Sequence, residues 1–226
     1  MSPFARFLCG CVLLVFTITA ARTQGPVRMS SADQVRCANL VYAGNKTSYC
    51  FSDRFLRRLS QETRILVDPT FRRVRLDSRE LCQYPFAVMS GEGAFTLTAK
   101  ERAQLRYYLT HGGFLLASAG CSDAQWTQSF RAEFARIFPG ARMARLTLEH
   151  PIFRTVYRID TLATRHARPG GGVLEAFTIR GRIVLIFSPN GLNDTDHAEN
   201  CCCCGGDEIA RAEFINVNVL AYTLLH

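Results

Sequence analysis

The stretch TAKERAQLRYYLTHGGFLLASAGCS, residues 98–122, holds the signals that decide the fold. Thr98 and Glu101 have the spacing of a capping box, in which each side chain accepts a hydrogen bond from the other residue's backbone amide. An apolar stripe at helical spacing follows, and Gly112-Gly113 end the helix because glycine tolerates the left-handed conformation. Residues 114–119 are continuously apolar, which is typical of a strand buried on both faces of a parallel sheet. The stretch therefore predicts a helix followed by a central strand.

The remainder of the chain continues this alternation of helices and short apolar strands. A second helical stripe runs from Trp126 to Ile137 and stops before Pro139. Further strands are predicted at residues 35–42, 86–89, 142–148, 173–179 and 183–187, the last two as a hairpin, and further helices begin after Ser52 and at Asp207. This order predicts an α/β three-layer sandwich with a mostly parallel sheet. Because no repeat or low-complexity linker follows residue 32, we expect a single domain over residues 35–226.

Composition and charge limit the class of protein. Hydrophobic residues make up 48% of the 226 residues, charged residues make up 20%, and the mean hydropathy is near zero. These values exclude collagen, a disordered chain and a multi-span membrane protein. The net charge of +8 comes from scattered arginines, and no nucleic-acid-binding motif is present. We therefore expect no nucleic-acid partner.

The N-terminal segment has the pattern of a secretory signal peptide. Arg6 is the only charge before an apolar run from Phe7 to Ala21, which is short for a membrane-spanning helix and ends in small residues. We expect a signal peptide over residues 1–21, a flexible leader over residues 22–34, and export to the periplasm or the extracellular space. The alternative is an uncleaved segment that anchors the protein to a membrane.

Ten cysteines are the least usual feature of the composition. Two lie in the signal peptide, and the other eight are Cys37, Cys50, Cys82, Cys121 and the run Cys201, Cys202, Cys203, Cys204. An exported chain permits disulfides between the run and the dispersed cysteines. A Zn or Cu site is the second explanation, because thiolates and imidazole suit these ions; its ligands would be His197, Cys201, Cys202, Cys203 and Cys204. Free or redox-active thiols are the third explanation.

Several stretches occur in the order found in a known family. They are Tyr84-Pro85-Phe86, Met89-Ser90-Gly91, residues 105–115, residues 130–139, His150-Pro151-Ile152-Phe153 and residues 216–222. From about residue 35 to residue 226, the chain resembles the bacterial domain-of-unknown-function family 4159, whose fold is similar to that of class I glutamine amidotransferases. The resemblance implies a class I amidotransferase-like, flavodoxin-like sandwich, and it implies no reaction.

Cys121 lies where class I amidotransferases carry their nucleophile, at a turn between a buried strand and a helix. That chemistry needs a thiolate, a histidine base and a carboxylate that orients the histidine. His197 and Glu199 have the corresponding His-x-Glu form. The turn lacks its second glycine, since Asp123 stands at that position. A buried or disulfide-linked Cys121 is the alternative.

His150 is the remaining candidate site residue. It precedes a proline after a predicted strand, so it is either a base or ligand, or a turn residue that contacts a backbone carbonyl. Taken together, these features favour a non-catalytic binding or assembly module of the cell envelope, with an envelope protein or a small ligand as its partner. The alternatives are a cysteine hydrolase and a metal-binding or redox protein.

Overall fold

The computed structural model describes residues 34–167, 169–198, 201 and 206–226, which belong to one compact unit. They form a seven-stranded sheet with the strands β1 (Cys37–Val41), β2 (Arg72–Arg75), β3 (Phe86–Gly91), β4 (Phe114–Ala119), β5 (Ala144–Arg145), β6 (Glu175–Ile179) and β7 (Arg182–Ser188). The strand order is β2-β1-β3-β4-β7-β6-β5. The first five strands of this order are parallel, and β6 and β5 add an antiparallel edge. When only the parallel strands are numbered along the chain, β7 is the fifth, and the order becomes 2-1-3-4-5. This order is common among doubly wound α/β folds.

Helices cover both faces of the sheet and make three layers. The helices are α1 (Arg54–Glu62), α2 (Ala99–Thr110), α3 (Ala124–Ile137) and α4 (Ala212–Leu225). The apolar residues of α2 and α3 pack with one set of strand residues, and those of α1 and α4 pack with the alternate set. Because successive strand side chains point to opposite faces, continuous apolar runs such as β4 serve both cores. The predicted α/β sandwich with a mostly parallel sheet is confirmed.

Helix α2 and strand β4 form as their sequence indicates. Thr98 accepts from the Glu101 amide at 3.2 Å, and the Glu101 carboxylate accepts from the Thr98 amide at 2.7 Å, so the capping box is complete. At the other end of α2, a Cβ on Gly113 would lie 2.3 Å from the Tyr108 ring. The Tyr108 hydroxyl donates to the backbone carbonyl of Phe114 at 3.0 Å. The helix end, the glycine and the first residue of β4 are therefore locked together.

Hydrogen bonds of two aromatic side chains join α3 to the carboxyl ends of β1 and β3. The Trp126 indole donates to the Tyr42 hydroxyl at 2.6 Å, and that hydroxyl donates to the Ser90 carbonyl at 3.0 Å. A Cβ on Gly91 would lie 2.5 Å from the Tyr42 hydroxyl oxygen, so the approach requires glycine. Burial raises the pKa of Tyr42, which keeps its hydroxyl protonated and able to donate.

Two predicted boundaries were wrong, and one strand was missed. The strand expected at residues 142–148 is only Ala144–Arg145. The last helix begins at Ala212 and not at Asp207, because residues 208–210 pair with residues 163–165 in extended conformation. The edge strand β2, with the sequence Arg-Arg-Val-Arg, was missed because only Val74 is buried and no alternation of apolar residues marks it.

Candidate functional site

Three serines lie side by side at the carboxyl ends of neighbouring parallel strands. Ser90 of β3 is in register with Ser118 of β4, and Ser118 is in register with Ser188 of β7. All three are fully buried. Their neighbours at alternate positions, Val88 and Ile186 among them, belong to the core beneath α1 and α4, so this serine row faces that side of the sheet. Ligands of doubly wound folds bind at this edge.

The loop after β7 covers the serine row. Ser90 and Ser118 both donate to the side-chain oxygen of Asn193. Ser118 in turn accepts from the Leu192 amide at 2.7 Å, and Ser188 accepts from the Gly191 amide at 3.0 Å. On this face of the sheet, the chain's own loop therefore occupies the hydroxyl groups at the strand ends.

Buried polar atoms around this loop lack hydrogen-bond partners among the described residues. They are the Asn193 side-chain nitrogen, the Asn216 side-chain oxygen and one carboxylate oxygen of Glu208. The other oxygen of Glu208 accepts from the Thr195 hydroxyl at 3.1 Å. Burial raises the pKa of Glu208, an effect that the Thr195 hydrogen bonds and the charge of Arg165 partly offset. The loop therefore packs around a carboxyl group that is costly to ionise.

A disulfide ties this loop to the loop after β1. Cys50 and Cys201 are bonded across 151 residues of sequence. Beside the disulfide, the Ser52 amide donates to the Asn193 carbonyl at 2.9 Å, and the Ser52 hydroxyl donates to the His197 carbonyl at 3.3 Å. The disulfide explanation of the cysteines is thus confirmed for one pair. The two loops form one cover over the carboxyl edge.

The predicted metal site is only partly inside the described residues. Cys202, Cys203 and Cys204 lie outside them, and the disulfide removes the Cys201 thiol from the set of donors. Within the described residues, no group of three or more His, Cys, Asp or Glu side chains could hold a metal ion. A Zn or Cu site on the remaining ligands stays a prediction. Two other candidate disulfide partners, the buried Cys37 and the exposed Cys82, are not disulfide-bonded.

Cys121 lies on the turn that the sequence predicted, directly after β4. Its backbone has φ 49° and ψ 30°, and Ser122 follows with φ 57°. Such left-handed conformations are uncommon for residues other than glycine and concentrate at functional sites. Asp123 stands at the position where a second glycine was expected. Its carboxylate accepts from the Trp126 amide at 2.7 Å and caps α3. A Cβ on Gly206 would lie 2.2 Å from the Cys121 carbonyl carbon, so the far end of the loop after β7 packs on this turn.

His197 is paired with a carboxylate that the sequence analysis missed. Its Nδ1 lies 3.0 Å from both carboxylate oxygens of Asp194, three residues earlier on the same short turn. Burial raises the pKa of Asp194, and the hydrogen bond from His197 lowers it. Glu199, the predicted orienting carboxylate, lies outside the described residues. The Asp-x-x-His spacing was the signal available, since a helical turn brings such residues together.

Comparison with known proteins decides the family. A profile with the description "Domain of unknown function (DUF4159)" matches residues 36–224. The chain belongs to this family. No curated protein matches the sequence. The DUF4159 family description states no activity.

His150 has a structural contact in this DUF4159 chain. Its Nδ1 accepts from the Ile152 amide at 3.2 Å and caps the 3-10 turn Pro151–Arg154. Burial lowers the pKa of His150, which favours the neutral ring that can accept this bond. The partner is a backbone amide, whereas the predicted turn contact was with a backbone carbonyl.

Among the described residues of the DUF4159 chain, no helix has the length and apolar character needed to cross a membrane.

Proposed function

We propose that the protein is an exported binding or assembly module of the cell envelope. In this proposal, residues 1–21 are a signal peptide, residues 22–34 are a leader, and residues 35–226 are a single domain with a class I amidotransferase-like fold. The domain acts without catalysis, by presenting the covered carboxyl edge of its sheet to an envelope protein or a small ligand. The chain order 2-1-3-4-5 of its parallel strands supports this fold assignment.

The Cys50–Cys201 disulfide is the observation that carries the proposal. Structural disulfides persist in oxidising compartments and are rare in the cytosol. This one joins loops that follow two different strands and holds them over the strand ends where doubly wound folds bind ligands. A cover tied by a disulfide suits a surface that recognises a partner, because the crosslink reduces the conformational entropy that is lost on binding.

Expression of the full chain in a bacterium with a disulfide-forming periplasm tests the proposal. We expect a periplasmic product that begins near residue 22, in which Cys50 and Cys201 react with N-ethylmaleimide only after reduction. Leu13→Arg is the matched control, because a charge in the apolar run should block export. A cytoplasmic product with an intact N-terminus, whose Cys50 and Cys201 thiols react without reductant, would overturn the proposal.

A cysteine hydrolase is the second candidate. It is favoured by the left-handed backbone of Cys121 after β4 and by the His197 ring held against Asp194, since a base needs an orienting carboxylate. In this candidate Cys121 is the nucleophile and His197 the base, and the carboxylate is Glu199 or Asp194. The purified protein should then hydrolyse activated esters or amides, with the activity lost in both Cys121→Ser and His197→Gln. Equal rates in the wild type and both variants would exclude it.

A further inference from the structure

A cavity of about 340 Å³ lies at the carboxyl ends of β4, β5 and β7. Ser122 follows β4, Arg145 ends β5 and Asn190 follows β7, and the Gly170-Gly171 turn also lines the cavity. Its volume lies within the range of about 300 to 1,000 Å³ that is typical of small-molecule sites. Among the described residues, no carboxylate lines this cavity. The lining therefore favours an anionic ligand over a cation.

Arg145 brings a positive charge to this cavity from the face of the sheet that α3 covers. Its partner in register on β6 is Glu175, and both oxygens of that carboxylate accept from Arg131 of α3, each at 2.7 Å. Because side chains directly opposite on paired strands share a face, Arg145 lies on the α3 face as well. Within the described residues, its guanidinium makes no ion pair and no hydrogen bond. Its charge is therefore available to a ligand.

Asn190 supplies a second donor, and two hydrogen bonds hold its orientation. Its side-chain oxygen accepts from the Val173 amide at 3.0 Å, and its backbone carbonyl accepts from the Ser122 hydroxyl at 2.6 Å. Because the Val173 amide can only donate, the side-chain nitrogen of Asn190 faces away from it. The residue is 4% exposed, and this nitrogen makes no hydrogen bond within the described residues. Asn190 is thus a fixed amide donor in the cavity wall.

The Gly170-Gly171 turn adds backbone donors. Both glycines have positive φ, 84° and 68°, and neither backbone amide donates to a described residue. A Cβ on Gly171 would lie 2.9 Å from the Leu162 carbonyl oxygen, so this position requires glycine. Because the turn carries no side chains, a ligand can approach its backbone closely. The cavity therefore combines a guanidinium, a side-chain amide and backbone amides that have no acceptor within the described part of the chain.

We infer that this cavity binds the phosphate group of a small, soluble phosphate monoester. The inference rests on the proposed binding role and names the ligand class and its position. A phosphate monoester offers three terminal oxygens as strong acceptors, and a guanidinium can bind two of them side by side. In this arrangement Arg145 pairs with two oxygens, and the side-chain nitrogen of Asn190 donates to the third. A carboxylate has only two oxygens, so it would leave donors of the cavity without an acceptor.

Titration of the oxidised protein with glycerol 3-phosphate, followed by amide NMR, tests the inference. We expect saturable shifts at Ser122, Arg145, Gly170, Gly171 and Asn190. Glycerate, a carboxylate of similar size, should bind at least about tenfold more weakly, and the uncharged glycerol should cause no saturable shift. Shifts located elsewhere, or equal binding of glycerate, would overturn the inference. Stronger binding to vesicles that contain phosphatidic acid would place the phosphate on a membrane lipid and overturn the soluble class.

Asn190→Asp and Arg145→Gln are the decisive variants. The aspartate keeps an acceptor for the Val173 amide but places a negative charge where the nitrogen donates. Its control is Asn45→Asp, which makes the same charge change at an exposed residue outside the cavity. Arg142→Gln is the control for Arg145→Gln, because Arg142 is also exposed and does not line the cavity. We expect the affinity for glycerol 3-phosphate to fall about tenfold or more in the decisive variants and to stay within about twofold of the wild type in the controls.

Circular dichroism of each variant before the titration shows whether the fold is retained. Equal loss of affinity in a folded decisive variant and its control, or no binding of glycerol 3-phosphate by the wild type, would refute the ligand class. Export and the disulfide are measured separately, so failure of the ligand leaves the envelope role to its own test.

Discussion

Removal of the Cys50–Cys201 disulfide should destabilise the domain. The bond closes a loop with a sequence separation of 151 residues. Loop-closure entropy for that length gives about 5 kcal/mol at 25 °C, and measured values for other proteins are commonly about 2–4 kcal/mol. For the double variant Cys50→Ser/Cys201→Ser, we therefore expect a loss of about 2–5 kcal/mol in the free energy of unfolding. For a domain of this size that loss corresponds to a fall in Tm of roughly 5–20 °C.

Urea denaturation followed by circular dichroism measures this loss. The wild type should be examined with and without dithiothreitol, and the double variant with it, so that other thiols stay reduced. The reduced wild type should match the variant. Cys82→Ser is the control, since Cys82 is exposed and outside any disulfide, and its effect should stay within about 0.5 kcal/mol. A loss below about 1 kcal/mol in the double variant would show that the bond does not hold the two loops, and the reasoning would fail.

Three further predictions concern the loop and the capping box. Glu208→Gln should stabilise the fold increasingly as the pH rises above the usual glutamate pKa, because burial raises the pKa of the Glu208 carboxyl in the folded state and the stability that its proton supplies is lost as the pH rises through that raised value. Urea titrations at several pH values check this, and a difference independent of pH would contradict it. Asn193→Ala should cost about 2–4 kcal/mol, since two buried serine hydroxyls lose their acceptor, whereas the exposed Asn45→Ala should change the free energy of unfolding by less than about 0.5 kcal/mol. Glu101→Ala should lower the free energy of unfolding more than Thr98→Ala, by about 2 against about 1 kcal/mol, as measured by chemical denaturation. The reason is that the Glu101 carboxylate accepts from the Thr98 amide and also from the Ala43 amide in the loop after β1. Equal losses would disprove the second contact.

Local signals account for the parts of the fold that the sequence predicted well. The capping box of α2 and the apolar run of β4 are completed by residues within a few positions of one another. The edge strand β2 gave no such signal, because its pairing with β1 supplies the hydrogen bonds that make it a strand. The predicted start of α4 was wrong for the same reason, because a distant pairing decides it. Ile209 forms a β-bridge with Thr164, and the helix begins only after Arg211, which has φ 57°.

The candidate site shows a similar division. The turn at Cys121 was predicted, because a buried strand followed by a glycine and a helix cap is a local pattern. The pairing of His197 with Asp194 was missed, since the His-x-Glu pattern drew attention to Glu199. Ser90 and Ser118 read as ordinary small residues within apolar runs, and only their register in the sheet makes them neighbours.

By itself, the sequence determined the α/β class, the mostly parallel sheet, the two strongest helices and the turn at Cys121, because apolar periodicity and capping act over a few residues. It also restricted the disulfide partners of the cysteine run to four dispersed cysteines, with Cys50 among them. Tertiary structure alone decided that Cys50 meets Cys201, that Asn193 covers two strand ends, and that Arg131 of α3 pairs with Glu175 of β6. These contacts join residues between 44 and 151 positions apart, and only the packing of the whole sheet brings such residues together.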